Sequence, residues 1–558
     1  MKLRLCLALA FFAALPLCAQ QTSAPPPGAD AGANPPGGKP PLPLPPGDTP
    51  PGGQPPGTPP RPGGVEPALP NGAPPLPVQP GVAVVPPVAA RTDRKPSVVR
   101  VNVTNQAWDF MRPWGKRAPF SRRGVGPVLP GNRVLVTAEL VGNANYLELE
   151  APEGGQKTPA SVEAVDYEAN LALLKPEDDK FLSAFEPVQF TTAVVGDTIS
   201  IWQLESTGTL LVTKGSLTTT EISRYPIDES PLLVYRATAS LQFRDASFTL
   251  PVAKDDKLIG IVMRYDNATK GVEIVPTPII EHFLKDASQP PYEGFPRAGM
   301  AYSNTRDPQL RRFIGLEGKH SGGVYITDVV KGGPAETAGL KPGDVVLKIG
   351  GEPVDQDGNF THPEYGKISS TFLITTQRQH GESVKFTVFR KGELTELEVK
   401  AAHRDVEEFV VEPYVIDRAP KFYLLGGLVL QELSRQYLKE WGADWAKKAP
   451  EDLVYYDRHQ TELFREGPKK LVLLSTVLPS PATVGYEDLR QLIVTKINGV
   501  PLDRLADVPK ALAKSGDGLH KLEFESDPAS VYLDAAAITS GDEALMENYR
   551  IPALHRLE

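Results

Sequence analysis

The first half of this chain contains no histidine, and its two cysteines lie close to the N-terminus. It therefore offers few side chains for proton transfer or thiol chemistry. The chain has eight histidines, and the first is His282. Its only cysteines are Cys6 and Cys18. A serine hydroxyl becomes a useful nucleophile when a neighbouring base accepts its proton, and histidine is the usual base because its pKa lies near neutrality. No histidine within the first 281 residues can activate a serine there.

The N-terminus is typical of an export leader followed by a spacer. Lys2 and Arg4 precede an apolar run over residues 5–15, and small residues near Ala19 favour cleavage there, which leaves a mature chain without thiols. Lipidation at Cys18 is the less favoured alternative, because Pro16 and Leu17 fit a lipoprotein signal poorly. Residues 21–90 hold 25 of the 58 prolines, which predicts a disordered, semi-stiff arm. We expect an exported protein, periplasmic or extracellular, without a transmembrane span after cleavage.

Length and charge limit the class of protein. A chain of 558 residues with 41% hydrophobic content is expected to form about three domains. Its formal net charge of -9 argues against nucleic acid or an anionic membrane as the main partner. The sequence shows no cofactor or metal motif, so neither is expected.

Short alternating apolar runs follow the arm and are separated by Gly, Asp, Asn and Pro. They begin with SVVRVNV at Ser97 and continue through TISIWQL and LLVYRATA to GVEIV near Val275. Many short strands without long helices between them predict an antiparallel β-barrel or sandwich. A helix at about Pro278 to Lys285 is predicted to close this region.

Two later units share one order of elements. Both contain a strand, a glycine-containing turn, a strand that ends in a Gly-x-Pro turn (IGGEP and INGVP), a helix and a further strand. We interpret residues 295–404 and 405–558 as an internal duplication.

Several motifs carry a resemblance to a known family. Residues 97–275 resemble the trypsin-like domain of the HtrA/Deg serine proteases, 295–403 a PDZ domain, and 405–558 the divergent C-terminal PDZ module of plant-type Deg proteases. The motifs are PWGKR (113–117), RVLVTAELV (133–141), SVEAVDYEANLALLK (161–175), DPQLRRFIGL (307–316), GLKPGDVVLKIGGEPV (339–354) and KINGVP (496–501).

The resemblance implies a mainly β fold with a chymotrypsin-like double β-barrel followed by two PDZ-like α+β modules. The implied domains are a leader (1–19), a Pro-rich disordered linker (20–92), a trypsin-like domain (93–290), a PDZ domain (291–404) and a divergent PDZ domain (405–558).

The family's catalytic triad is degenerate when it is transferred position by position. The histidine position is Glu139, the aspartate position is Asn170, and the nucleophile position is Ser247. The loop around Ser247 also has Asp245 and Phe248 among the residues that replace the family's glycines, which would obstruct an oxyanion hole. Glu139 and Asp245 could form a carboxylate pair for acid/base or metal chemistry, but no histidine or second motif supports that alternative.

The PDZ resemblance predicts a peptide site. The family's carboxylate-binding loop corresponds to Ala298, Gly299 and Met300, and the helix that faces it contains Phe372 and Ile374 as candidate pocket residues. Phe372, Leu373 and Ile374 are contiguous, so at least one must belong to the core. In the last unit the equivalent loop is residues 425–428, where we expect assembly or internal docking more than capture of free peptide.

The resemblance also bears on partners and function. HtrA-type trimers associate through N-terminal aromatic residues, so a homo-oligomer is expected, and Trp108, Phe110 and Trp114 are either a subunit contact or, as we prefer, a packed hairpin. We interpret the chain as a pseudoprotease that binds peptide or protein C-termini through PDZ modules. The alternatives are an active serine endopeptidase that uses Ser247, and a chaperone without chemistry.

Overall fold

The computed structural model describes residues 97–242, 249–463, 470–514 and 516–558. The predicted leader, the proline-rich arm, Asp245, Ser247 and Phe248 lie outside these residues. The predicted mainly β architecture is confirmed, with two closed barrels followed by two α+β units.

The first barrel is a closed sheet in the order β1-β2-β3-β6-β5-β4. Its interior is filled by valines and leucines from alternating positions, as Val99, Val101 and Val103 of β1 illustrate. The elements are β1 (Val98–Asn105), β2 (Phe120–Leu129), β3 (Arg133–Val136), α1 (Ala138–Val141), β4 (Ala144–Glu150), β5 (Lys157–Asp166) and β6 (Leu171–Pro176).

The second barrel is also closed, in the order β10-β11-β12-β9-β8-β7. A helix follows it at the predicted place, beginning with Pro278 in its first turn and burying Ile279, Ile280 and Phe283. The elements are β7 (Thr198–Leu204), β8 (Leu210–Arg224), β9 (Pro231–Ala239), β10 (Pro251–Lys254), β11 (Lys257–Asp266), β12 (Gly271–Pro276) and α2 (Thr277–Ala287).

The third unit contains a sheet in the order β13-β14-β15-β19-β20, in which β13 is an edge strand. A separate hairpin of β17 and β18 precedes a one-turn helix. The elements are β13 (Met300–Ser303), α3 (Pro308–Phe313), β14 (Val324–Val329), α4 (Pro334–Thr337), β15 (Val345–Ile349), β16 (Glu352–Pro353), β17 (Asn359–His362), β18 (Gly366–Ser369), α5 (Phe372–Thr375), β19 (Ser383–Arg390) and β20 (Glu393–Lys400).

The last unit repeats this sheet order as β22-β23-β24-β26-β27, as the predicted duplication requires, and adds β21 and β28 outside β22. A group of short helices lies between β22 and β23. The elements are β21 (Phe422–Leu425), β22 (Leu428–Glu432), α6 (Arg435–Leu438), α7 (Trp445–Lys448), α8 (Glu451–Leu463), β23 (Val472–Val477), β24 (Leu492–Ile497), β25 (Val500–Pro501), α9 (Val508–Leu512), β26 (Leu519–Phe524), β27 (Ser530–Asp534), α10 (Ala535–Tyr549) and β28 (His555–Arg556).

The aromatic residues of the β1–β2 loop pack within the chain. Phe110 is buried in a cluster with residues of the last unit, and the ring of Trp114 meets that of Phe422 at a centroid distance of 6.1 Å. Arg556 lies over the ring of Trp108 and donates a hydrogen bond to the carbonyl of Pro113. Of the two interpretations of these aromatics, the structure therefore supports a packed loop, whose partner is the C-terminal unit.

Across the described ranges, none of the helices combines the length and apolar character needed to cross a membrane.

Candidate functional sites

Two of the three triad-equivalent residues are in direct contact. Asn170 follows the β5–β6 turn, and its side-chain oxygen accepts a hydrogen bond of 2.9 Å from the backbone N–H of Glu139 in α1. Asn170 is fully buried and has a φ of 53°. Asparagine tolerates that left-handed conformation better than most residues because its short side chain can bond locally.

The bond from the backbone N–H of Glu139 occupies the only acceptor atom of the Asn170 side chain. In a working triad the acidic group accepts a hydrogen bond from the ring N–H of the base and stabilises the positive charge that develops on that ring. Here the oxygen of Asn170 anchors backbone, and its Nδ2 finds no partner among the described residues. The Glu139 side chain is about half exposed and lies 3.8 Å from Arg122.

Ser247 lies outside the described residues, but Thr249, two positions later, is described and forms hydrogen bonds with both its carbonyl and its hydroxyl. The carbonyl of Thr249 accepts a hydrogen bond of 3.0 Å from the N–H of Val125 in β2. The hydroxyls of Thr249 and Thr137 also bond to each other, and Thr137 lies two residues before Glu139. Val125 and Thr137 belong to the first barrel, and Thr249 leads into β10 of the second. Thr249 is therefore held at the contact between the two barrels.

The predicted carboxylate loop forms one end of a cavity of about 1010 Å³. Gly299 has a φ of 72°, which L-residues rarely adopt, and the loop leads directly into the edge strand β13. Ala298, Gly299, Met300 and Ile374 all line this cavity. An edge strand beside a helix and next to a glycine turn is the arrangement that accepts an extended peptide as an additional strand.

Phe372 has a different position from the one expected of a pocket residue. Its ring stacks on Phe360 at a centroid distance of 6.2 Å and contacts the rings of His362 and Tyr365. Residues two positions apart in a helix point in nearly opposite directions, so Phe372 and Ile374 cannot both face the groove from one turn. Phe372 is a core residue, which corrects that assignment.

The equivalent groove of the last unit is occupied by the chain itself. There Gly426 and Gly427 form the turn of a tight hairpin, and β21 pairs with the outer edge of β22 from Leu425 opposite Leu428 to Phe422 opposite Gln431. A Cβ atom on Gly426 would lie 2.6 Å from Ile538 of α10. The edge on which a peptide would add is therefore already paired.

Sequence reasoning missed a buried ionic cluster beside the first groove. Arg297, the residue before Ala298, forms a 2.7 Å ion pair with Glu168 and lies 3.5 Å from Asp228, and Glu168 also lies 3.2 Å from Nε2 of His403. Glu168 and Asp228 belong to barrel turns, while Arg297 and His403 flank the third unit. No motif marks these residues, because their partners are between 69 and 235 positions away.

Asp166 lies close enough to this cluster to interact with Glu168 and His403. Burial and charge shift the pKa values of these groups in opposite directions. Burial raises the pKa of Asp166 to about 6, with repulsion from Glu168 adding to the effect. Burial would also raise the pKa of Glu168, but the charges of Arg297 and His403 prevail and lower it to about 2. Burial opposes the charged form of His403, yet its bond to Glu168 prevails and raises its pKa.

Comparison with known proteins agrees with the fold. Residues 299–401 and 411–555 each match the PDZ domain family. Protease Do-like 2, chloroplastic, of Arabidopsis thaliana is 25% identical over 465 residues, which cover 82% of this chain and 74% of that protein. Protease Do-like 4, mitochondrial, of the same plant is 22% identical over 494 residues, covering 84% and 90% respectively. Among solved structures, "HtrA-type protease AlgW with decapeptide" is 18% identical, covers 56% of this chain and 96% of that one, and has a TM-score of 0.41.

The fold and the matches define a class of protein in which a double β-barrel precedes two PDZ domains. More specifically, over 82–84% of its length the chain is similar to the Arabidopsis proteases Do-like 2 and Do-like 4, at 25% and 22% identity.

Proposed function

We propose that this chain is a pseudoprotease of the HtrA/Deg type that binds peptide or protein C-termini at the groove of its first PDZ domain. The observation that carries the proposal is that the base and acid positions hold Glu139 and Asn170, and that the only side-chain acceptor of Asn170 is taken by the backbone N–H of Glu139. Without a base to accept the serine proton, hydrolysis should not exceed background. The N-terminal leader further favours an exported protein, and the family resemblance favours a homo-oligomer.

The proposal has a direct kinetic test. Turnover of β-casein by the wild type and by Ser247→Ala should be equal and at background, and a fluorophosphonate probe should leave residue 247 unlabelled. Hydrolysis that disappears in Ser247→Ala would instead establish the alternative, an endopeptidase that uses this serine.

Peptide binding is tested at Gly299. An aspartate there would place a negative charge and a Cβ atom in the loop that should hold the peptide carboxylate, so Gly299→Asp should weaken binding to a C-terminal peptide array at least about tenfold. Gly392→Asp is the matched control, because Gly392 also has positive φ and lies in an open hairpin turn of the same domain. Equal binding by both variants would remove the groove as the ligand site.

A further inference from the structure

The cavity at the first PDZ groove has a second wall that belongs to the barrel. Met300 and Tyr302 of β13 line the PDZ side, while Ile222 and Arg224 of β8 line the same cavity from the barrel side. Both walls are strands, and among the described residues neither has a hydrogen-bonded strand along its cavity edge, although β18 packs near β8.

On β8 the free edge follows from the hydrogen-bond pattern. Beyond Ser216, β8 continues past its pairing with β7, and the only described strand that pairs with it there is β9. The N–H of Tyr225 donates to the carbonyl of Ser230, and in an antiparallel ladder bonded and non-bonded pairs alternate. Ile222 opposite Leu233 and Arg224 opposite Pro231 are therefore non-bonded pairs, whose backbone groups point away from β9.

On β13 the same reasoning applies to Met300. The N–H of Val330 donates to the carbonyl of Gly299, which makes that pair a bonded one. Met300 is paired with Val329 in the next, non-bonded register, so its backbone N–H and C=O point outward from the sheet.

The ionic side chains around the cavity favour an anionic occupant. Four cationic residues and two carboxylates line it, although the whole chain has a net charge of -9. Of these, Arg297 is paired with Glu168, and Arg224 is paired at 3.2 Å with Glu229, which does not line the cavity. These lining residues are Arg224, Arg297, Lys331, Arg404, Glu168 and Glu408.

We infer that the ligand is an acidic peptide with a free C-terminus that adds as a strand between β13 and β8, and so joins the PDZ domain to the barrel. The inference rests on the proposed peptide binding and deepens it by giving the peptide a second paired edge. Successive N–H groups of a strand point to opposite sides, so alternate residues of the ligand would bond to the PDZ domain and to the barrel.

The test is N-methyl scanning of the tightest-binding hexapeptide from a random C-terminal array, measured on the full chain. Methylation removes one N–H at a time, so in a doubly paired peptide both alternate sets should weaken binding, each by about tenfold. The selected peptides should also be enriched in Asp and Glu. If only one set weakens binding, or if Lys and Arg are enriched, the inference is wrong while PDZ binding stands. If no peptide binds, the proposed function itself fails.

A barrel variant tests the pairing with β8. Ile222→Pro removes the outward N–H of β8, which would donate to a carbonyl of the peptide, at a position where an edge strand tolerates proline, and Ile222→Val keeps that N–H. Ile222→Pro should weaken binding of the unmethylated hexapeptide by about tenfold, and Ile222→Val should bind it as the wild type does. Unchanged binding by a folded Ile222→Pro chain would contradict pairing with β8, and the wild-type scan remains decisive if this variant does not fold.

Discussion

At the scale of single residues, Asn170 shows how a catalytic position can become a structural one. Its side-chain oxygen holds the backbone of α1, and its φ of 53° shapes the turn before β6. Both features can be met by an asparagine without any proton transfer, which is why the fold tolerates the loss of the acid.

We therefore predict a stability effect at Asn170. Asn170→Ala should lower the free energy of unfolding by about 1–3 kcal/mol, because the N–H of Glu139 loses its partner and alanine is strained at positive φ. Urea denaturation measures this change. Glu139→Ala is the control, since it keeps the backbone N–H and alters a half-exposed side chain. Equal losses in the two variants would show that the bond is unimportant.

His403 predicts a pH dependence. Its pKa is raised in the folded protein, so its contribution to stability is complete below the unfolded value of about 6.5 and is lost as the pH rises through the folded value. The raised pKa of Asp166 adds a second pH dependence of stability. Between about pH 4 and the folded pKa of about 6, the free energy of unfolding falls as the pH rises.

The measurement is the melting temperature of the wild type and of His403→Gln between pH 6 and 9. The difference in melting temperature between the wild type and His403→Gln should become smaller as the pH increases, because the neutral imidazole no longer attracts Glu168. A difference that is constant with pH would mean that the charge on His403 does not support the junction.

At the scale of elements, the two PDZ domains differ in what lies at their binding edge. Within the described ranges no strand pairs with the outer edge of β13, whereas β21 pairs along β22 and β28 pairs with β21. The same sheet order therefore supports one open groove and one closed groove.

This difference predicts a stoichiometry. Calorimetric titration with a C-terminal peptide should give one site per chain, and Gly299→Asp should abolish the whole signal, because β22 has no edge to offer. A residual second site in Gly299→Asp would show that β21 can be displaced.

The sequence predicted the positions of the strands and helices better than it predicted which side chains and strand edges form the binding site. Alternation in SVVRVNV was sufficient for β1, and the two Gly-x-Pro turns were sufficient for the duplicated order. It could not separate Phe372 from Ile374, because orientation within one helical turn depends on which neighbours pack on it. Nor could it reveal the Glu168 cluster or the pairing of β21, since both depend on contacts between distant parts of the chain.

At the scale of the whole molecule, the last unit is bound to both ends of the barrel region. Arg435 donates to the carbonyl of Asp228, and Arg458 pairs with Glu229 in the β8–β9 turn. On another side, Arg556 lies over the rings of Trp108 and Phe422. The C-terminal PDZ domain thus packs against the barrel region.

We predict that Arg556→Ala loosens the β1–β2 loop. The variant loses two cation–π contacts and the bonds to the carbonyls of Pro113 and Pro420, so trypsin should cleave after Lys116 or Arg117 faster than in the wild type. Lys510→Ala, a change at an exposed position on α9, is the control. Unchanged cleavage in Arg556→Ala would mean that the aromatic packing holds the loop without the arginine.

The attachment of the β1–β2 loop to β28 also has a consequence for how the chain is made. Trp108 emerges from the ribosome long before Arg556, which covers it. Phe110 and Trp114 likewise emerge before the residues of the last unit on which they pack, and exposed aromatic surfaces of that kind attract chaperones and neighbouring nascent chains. The newborn chain therefore exposes these three aromatic side chains from the synthesis of the first barrel until the last unit can fold.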